Sequence, residues 1–336
     1  MKINQKYIAD LLNISRVTVT KALQNHPDIA KSTIEKVKKK AEELGYIPNT
    51  VGRSLSTMTT MTIGVIVPKI NHSFFSTLIE EIYTEALIFG YQIILMVSFE
   101  SEESEIENVR SLLSMNVDGL IIDSVSTSTK DKSYELIKKH SKPIVYIDRK
   151  PRAIKGAPGV FFDDYNLSYK LTKQLINKGY KDFMYITGPL DINICYERLA
   201  GFKNALQEEN IIFPEDRLLI ANLDKKQATM VLQEFLNSGQ KLPEMIICAN
   251  DSIALGVYEV CKIHNINIPH DIGVIGFGNI VESHFASPSL STVKLNIEDA
   301  SKQAIRKLVS IINKEDKDIQ QDDLIDGTII FRGSTK

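Results

Sequence analysis

Apolar side chains recur at helical spacing from about Gln5 to Leu44, and the rhythm breaks at Asn13, around Asn25–Asp28 and finally at Gly45–Pro48. Three short helices are predicted, the third starting near Ser32 and carrying Ile34, Val37 and Ala41 on one face. The first break has the chemistry of a sharp interhelical turn. Asn13 is one of the few non-glycine residues that accept a left-handed backbone, and Ser15 is a natural N-cap for the helix that follows. Ala9 is small where that second helix must approach, while Ile14 and Val19 occupy inward positions. The string IADLLNISRVTVTKAL (Ile8–Leu23) therefore predicts a helix-turn-helix.

From Ile63 the period changes. Runs rich in β-branched residues, IGVIV (63–67), YQIILMV (91–97), GLIID (119–123) and PIVYID (143–148), alternate with helical segments such as Ser73–Phe89 and Glu102–Met115. A second series follows with FMYITG (183–188), LLIANL (218–223), MIICAND (245–251) and GVIGFGN (273–279). Strand–helix alternation predicts parallel sheets covered on both faces, and two successive sets predict two doubly wound subdomains. Each has its ligand edge at the carboxyl ends of its strands, and the crevice between two such edges is the expected small-molecule site. The predicted organisation is an all-α domain at 1–48, a connecting segment at 49–61 and an α/β core at 62–336. Within the core, one subdomain is expected over about 62–160 and 292–322, the other over about 161–291 and 323–336.

Composition adds little until the chain is divided. With 43% hydrophobic and 24% charged residues, a packed core is expected. The overall charge is −2, but residues 1–60 hold 10 Lys/Arg against 5 Asp/Glu, and the remainder holds 30 against 37. A basic head on an acidic body suits a head that docks on phosphates, although the lysine run at Lys36–Glu43 reads equally as a solvated helix face. Cys195, Cys248 and Cys261 have no CxxC spacing and no nearby clustering of histidines, so reduced thiols are expected, with no metal and no cofactor. The sequence offers neither an apolar run long enough for a membrane span nor a signal peptide, and the expected location is the cytoplasm. No GxSxG elbow, P-loop, HExxH or GxGxxG fingerprint is present, which argues against an enzyme.

The collinear motifs IADLLNISRVTVTKAL, ELGYIPN, GRSL, TIGVIVP, NVDGLII, PIVYIDR, RLAGF (198–202), ANDSIALG (249–256), IGVIGF (272–277) and PSLSTV (288–293) resemble the lactose-repressor (LacI/GalR-type) family of bacterial transcription regulators. The likeness runs from Lys2 to about Thr335. It implies an N-terminal helix-turn-helix, a hinge helix, and a periplasmic-binding-protein-like core that dimerises and binds an effector. The implied partners are double-stranded DNA with a pseudo-palindromic operator, a saccharide effector and a second copy of the chain, with a tetramer as the larger assembly. The competing reading is a cytosolic sugar-binding or sugar-processing α/β protein.

By the resemblance, Arg16 and Val17 stand where family members read bases, Arg16 suited to guanine and Val17 to a thymine methyl or a sugar. Ser15, Thr18, Thr20 and Lys21 fall on the same side, the two threonines fitting base or phosphate contacts. Gln24 replaces a common asparagine, and Tyr46 belongs to the following ELGYIPN motif. Asn49–Ser56 resembles the hinge helix, with Asn49 and Arg53 on DNA and Leu55 matching a leucine that wedges between base pairs, or else packing at an interface. Gly52 in place of alanine weakens that helix by roughly 1 kcal/mol, which predicts a hinge that folds only on DNA.

For the effector, the resemblance points to residues that follow strands, namely His72 and Phe74 after the first, Ser124 after GLIID, Asp148 and Arg149 after PIVYI, Asp163 at the end of VFFD and Asn250 after MIICA, and to Arg198, which opens RLAGF at an expected helix start. Carboxylate and guanidinium groups supply directional acceptors and donors for a polyol, though Asp148 or Arg149 also fits a structural salt bridge. His72 and Ser73 replace an Asn-Pro pair, and Phe75 reads as core. Gly278 stands where family members carry an effector-binding aspartate, leaving Asn279 as the polar group there. The lost carboxylate points to an anionic or larger saccharide.

Overall fold

The computed structural model describes residues 3–47, 59–127, 131–151, 154, 156–315 and 321–336. Two compact units divide the chain, Met1–Thr60 and Met61–Lys336.

The first unit contains α1 (Gln5–Leu12), α2 (Arg16–Leu23) and α3 (Lys31–Glu43). Asn13 ends α1 at φ 51°, ψ 44°, and Ser15 Oγ caps α2 by accepting the Thr18 N–H at 3.0 Å. Ile8, Ala9, Val19, Ala22, Val37 and Ala41 form the buried centre, with Ile14 and Ile34 packed against it. The expected helix-turn-helix is therefore present. The segment 48–58, with Asn49, Gly52, Arg53 and Leu55 of the expected hinge, lies outside the described residues.

The second unit contains two six-stranded sheets. The first has the order β11-β5-β4-β3-β1-β2, all parallel, from β1 (Thr62–Val67), β2 (Gln92–Val97), β3 (Gly119–Ile122), β4 (Ile144–Ile147), β5 (Gly159–Phe162) and β11 (Asp323–Ile325). Side chains alternate faces as a pleated strand requires. Ile63, Val65 and Val67 pack with Leu78 and Ile82 of α4 (Ser73–Ile88) and with Ala304, Ile305 and Leu308 of α12 (Ile297–Asn313). Ile66, Leu120, Ile122 and Tyr146 pack on the other face with Val109 and Leu112 of α5 (Glu102–Ser114) and Ile137 of α6 (Lys132–Lys139).

The second sheet has the order β12-β10-β9-β8-β6-β7. Its strands are β6 (Phe183–Thr187), β7 (Leu218–Ile220), β8 (Met245–Cys248), β9 (Gly273–Phe277), β10 (Ser291–Leu295) and β12 (Gly327–Ile330), with only the β10–β12 pair antiparallel. It is flanked by α7 (Asp164–Asn177), α8 (Asn193–Glu208), α9 (Lys225–Asn237), α10 (Asp251–Ile263) and the short α11 (Val281–Phe285).

The expected return crossings near 292 and 322 are corrected. Residues 291–295 extend the second sheet as β10, in parallel register with β9, whereas 323–325 join the first sheet beside β5. The chain changes sheets after β10 and again between β11 and β12, because STVKL supplies a further strand before α12 begins. Among the described residues no helix is long and apolar enough to cross a membrane.

Candidate functional site

In the helix-turn-helix unit, Arg16 and Val17 project most freely from the first turn of α2, with Val17 65% exposed. An exposed valine beside an exposed arginine has little to gain from folding, and both suit a groove. Their neighbours are more committed. The Ser15 and Thr18 hydroxyls lie 2.9 Å apart at the cap. The Thr20 hydroxyl donates to Gln5 Oε1 at 2.9 Å, tying α2 to α1, and Lys21 Nζ pairs with Asp28 at 2.9 Å. Gln24 is exposed and caps the end of α2, and Tyr46 is half-buried against the core of the unit.

In the second unit a cleft opens at the carboxyl ends of the strands. Its walls surround about 550 Å³ of space, open solvent at the mouth included. Of the expected residues, His72, Phe74, Asp148, Arg149, Arg198 and Asn250 line it. Lys69, Phe75, Glu100, Phe277 and Gly278 line it as well. Lys69 and Glu100 lie two and three residues beyond the ends of β1 and β2, so a looser form of the rule that selected Asp148 would have reached them. Phe75 is both core and lining, meeting Phe74 edge-to-face at 5.2 Å.

Two buried arginines organise the cleft. Arg198, on α8, donates from Nε to Asp164 Oδ1 at 2.7 Å and from Nη1 to the Ala249 carbonyl at 2.6 Å, with its guanidinium 4.3 Å from the Phe277 ring centroid. Burial pushes the Asp164 carboxyl up to about 7, opposed by Arg198 and reinforced by Asp148. Arg149, after β4, donates from Nη1 to Glu100 at 3.0 Å, and its Nε lies 3.7 Å from Asp123 and 3.8 Å from Asp148. Burial raises the carboxyls of Asp123 and Asp148, Asp123 further because Asp148 stands beside it. Asp148 Oδ1 and Arg149 Nε are buried without a hydrogen-bond partner, as are both Asp123 oxygens. Unmade bonds on buried groups are costly, which marks this wall of the cleft as under-satisfied. Left-handed backbone at non-glycine residues gathers at this edge too, at Glu100, Asp148, Leu223 and Asn279.

His72 caps α4. Its Nδ1 accepts the Phe74 N–H at 3.3 Å, so in the neutral ring Nε2–H donates to Ser252 Oγ, 2.9 Å away on α10. Burial, then Lys69, lowers its pKa. Beside it the Ser73 hydroxyl donates to Glu282 at 2.8 Å. The segment thus bridges the two subdomains at the cleft.

Four expectations change. Ser124 is buried and donates to Glu105, away from the lining. Asp163 caps α7, accepting the Asn166 N–H, and it is the following Asp164 that meets Arg198. Asn250 lines the cleft but spends its amide on the cap of α10 and on the Leu223 carbonyl. Asn279 is turned to Arg332, whose Nη2 donates to its Oδ1 at 2.6 Å. With Glu100, Asp123, Asp148 and Asp164 around the arginines, the carboxylate missing at Gly278 is no reason to expect an anionic ligand. Among the described residues no group of three or more His, Cys, Asp or Glu is placed to hold a metal ion.

Two family models match the chain in order: bacterial regulatory proteins of the lacI family over residues 6–49, and periplasmic binding proteins and sugar binding domain of the LacI family over 60–326. The transcriptional regulator RegA of Clostridium saccharobutylicum is 31% identical over 332 residues, covering 98% of both chains. The transcriptional repressor PurR of Vibrio atlanticus (strain LGP32) is 30% identical over 312 residues, 93% of this chain and 92% of its own. In fold, the chain is similar to the lac repressor dimer bound to operator and the anti-inducer ONPF, with a TM-score of 0.88, 21% identity, and coverage of 100% of this chain and 99% of that one.

Proposed function

The chain belongs to the LacI family of bacterial regulatory proteins, and from that premise we propose that it is a homodimeric transcription regulator, acting as a repressor. It binds a pseudo-palindromic operator through Arg16 and Val17 of α2 and releases or tightens on it when a small saccharide occupies the cleft. The observation that carries this reading is the joining, in one chain, of a capped helix-turn-helix to a two-sheet cleft holding buried, incompletely bonded Asp148 and Arg149. The relatives named as repressors and the family's sugar-binding description support it.

Asp148 and Arg149 on one wall and Arg198 on the other present acceptors and donors to hydroxyl groups, and the Phe74, Phe75 and Phe277 rings offer apolar faces to a sugar ring. Effector and operator sites are then linked by a coupling of typically about 1–3 kcal/mol, of either sign. A dimer is supported by exposed apolar side chains on α4 (Tyr83, Leu87, Ile88) and on the outer strand β2 (Leu95). The cleft binds and does not react, in keeping with relatives that are regulators, and work on DNA puts the protein in the cytoplasm.

Gel-shift titration of genomic fragments, with and without a panel of saccharides, tests the proposal. A specific retarded band whose midpoint moves with one saccharide is expected. No specific band under any condition would end the reading. Arg16→Ala should weaken specific binding by about 1–3 kcal/mol and relax the preference at one base position.

A further inference from the structure

Lys69, Glu100 and Arg149 follow β1, β2 and β4 and meet at the cleft. Glu100 places one carboxylate oxygen 3.4 Å from Lys69 Nζ and the other 3.0 Å from Arg149 Nη1. A ligand carboxylate or phosphate would take that same position between two cations. The remaining cation of the lining, Arg198, is already held by Asp164. Among the described residues, each lysine and arginine of the cleft wall thus has a carboxylate of the protein against it. An incoming anion meets no uncompensated cation among them, whereas the carboxyl and guanidinium groups of the lining can exchange hydrogen bonds with uncharged hydroxyls.

Glu100 is set there by its backbone. Phe99 and Glu100 are both left-handed, at φ 54° and 57°, a conformation that non-glycine residues avoid unless the surroundings impose it. Burial works against the charged form of Glu100, but Arg149 and Lys69 outweigh it and hold the carboxyl below its ordinary range. It is therefore ionised at neutral pH, while burial biases Asp123 and Asp148 behind it toward the protonated form.

We propose that Glu100 is a specificity-determining residue that fills the anion position between Lys69 and Arg149 and so restricts the effector to uncharged polyhydroxylated molecules, excluding those with a carboxylate or phosphate. This rests on the cleft being the effector site. It is tested without DNA, so that its failure is distinct from failure of operator control.

The experiment is calorimetric titration of the full chain, wild-type and Glu100→Gln, with inorganic phosphate and glucose 6-phosphate at constant ionic strength. The wild-type protein should show no saturable binding of either. Glu100→Gln should bind both, with affinity raised by about tenfold or more, and adding Lys69→Ala to it should remove the gain. Saturable phosphate binding by the wild-type protein, lost in Lys69→Ala, would overturn the proposal and assign the position to an anionic effector. That titration decides whether or not Glu100→Gln folds. A Glu100→Gln protein with native circular dichroism and no gain in anion binding would overturn it equally.

Discussion

Glu105 is a carboxylic acid spent on architecture. It is buried on α5, accepts the Val125 N–H at 2.8 Å and receives the Ser124 hydroxyl, which ties the loop after β3 to the helix. Burial pushes it up to about 7, with Asp131 adding to the rise and the Val125 hydrogen bond opposing it. A folded value above the unfolded one means that the native state keeps a proton the unfolded chain has lost. Its contribution is fully present below the unfolded value near 4.5 and drains away as pH rises through about 7. Glu105→Gln keeps an acceptor for Val125 without the charge. It should raise stability by roughly 1–3 kcal/mol at about pH 8 and much less at about pH 5, read from denaturant midpoints at the two pH values. An equal change at both would show that Glu105 is not protonated in the native state. Ser124 was a candidate effector contact because it follows a strand, and that rule cannot see the buried acid that takes its hydroxyl. The rule did bring Asp148 and Arg149 to the cleft, since they follow the strongly patterned β4, whereas Arg198 came from the RLAGF motif and lies inside α8 and not at the helix start expected for it. It misassigned Asp163 because in an Asp-Asp pair the cap and the first helical residue differ only by the turn of the helix. Asn279 failed for a longer-range reason, as its partner Arg332 lies 53 residues on.

At the scale of elements, the motif RLAGF owes its glycine to packing. α7 and α8 lie so close that a Cβ on Gly201 would stand 2.1 Å from the Tyr165 carbonyl oxygen and 3.0 Å from the Tyr169 nitrogen. Backbone cannot yield as a side-chain end can. Helix propensity alone says that alanine is better by about 1 kcal/mol at such a position, whereas overpacking costs about 1–3 kcal/mol. The contact should win. Gly201→Ala is expected to lower the thermal midpoint of the second unit, and a midpoint at or above wild type would mean that the helices part at no cost. Gly256 of ANDSIALG has the same role on α10, 2.5 Å from the Lys225 carbonyl. The long helices and the eight strands with full apolar runs were readable from period alone. β10, β11 and β12 were not, because STVKL, DLI and GTII lack the continuous apolar run of the strands that were read, and the partners that β11 and β12 pair with lie far off in sequence.

Over the whole of the α/β unit, the same weak apolar patterning hid where the chain passes between sheets, since no proline or glycine cluster marks Asn296. What the crossings leave free to move is held at the cleft by His72 on Ser252 and Ser73 on Glu282. His72 works as a neutral donor. Burial, Lys69 and Arg149 lower its pKa, and Glu282 pulls the other way. Because the folded value lies below the unfolded one, the contribution of His72 to stability is fully present above about pH 6.5 and is lost as pH falls through the folded value; the proton enters at Nδ1 and breaks the cap on the Phe74 N–H, while Nε2–H still donates to Ser252. Net worth is about 0.5–1.5 kcal/mol for a neutral hydrogen bond and about 1.5–3 kcal/mol for one to a charged group. Losing both would therefore shift an open–closed equilibrium by one decade or more. The double substitution Ser252→Ala, Glu282→Ala should speed amide exchange at the starts of α4 and α10 while leaving β1 and β8 protected, and acidification of the wild-type protein, by removing the Nδ1 cap, should speed it at the start of α4. Unchanged exchange at both helix starts would mean that the crossings, not these two bonds, hold the subdomains together. Faster exchange throughout the sheets would mean that the substitutions loosen the fold itself, not the cleft.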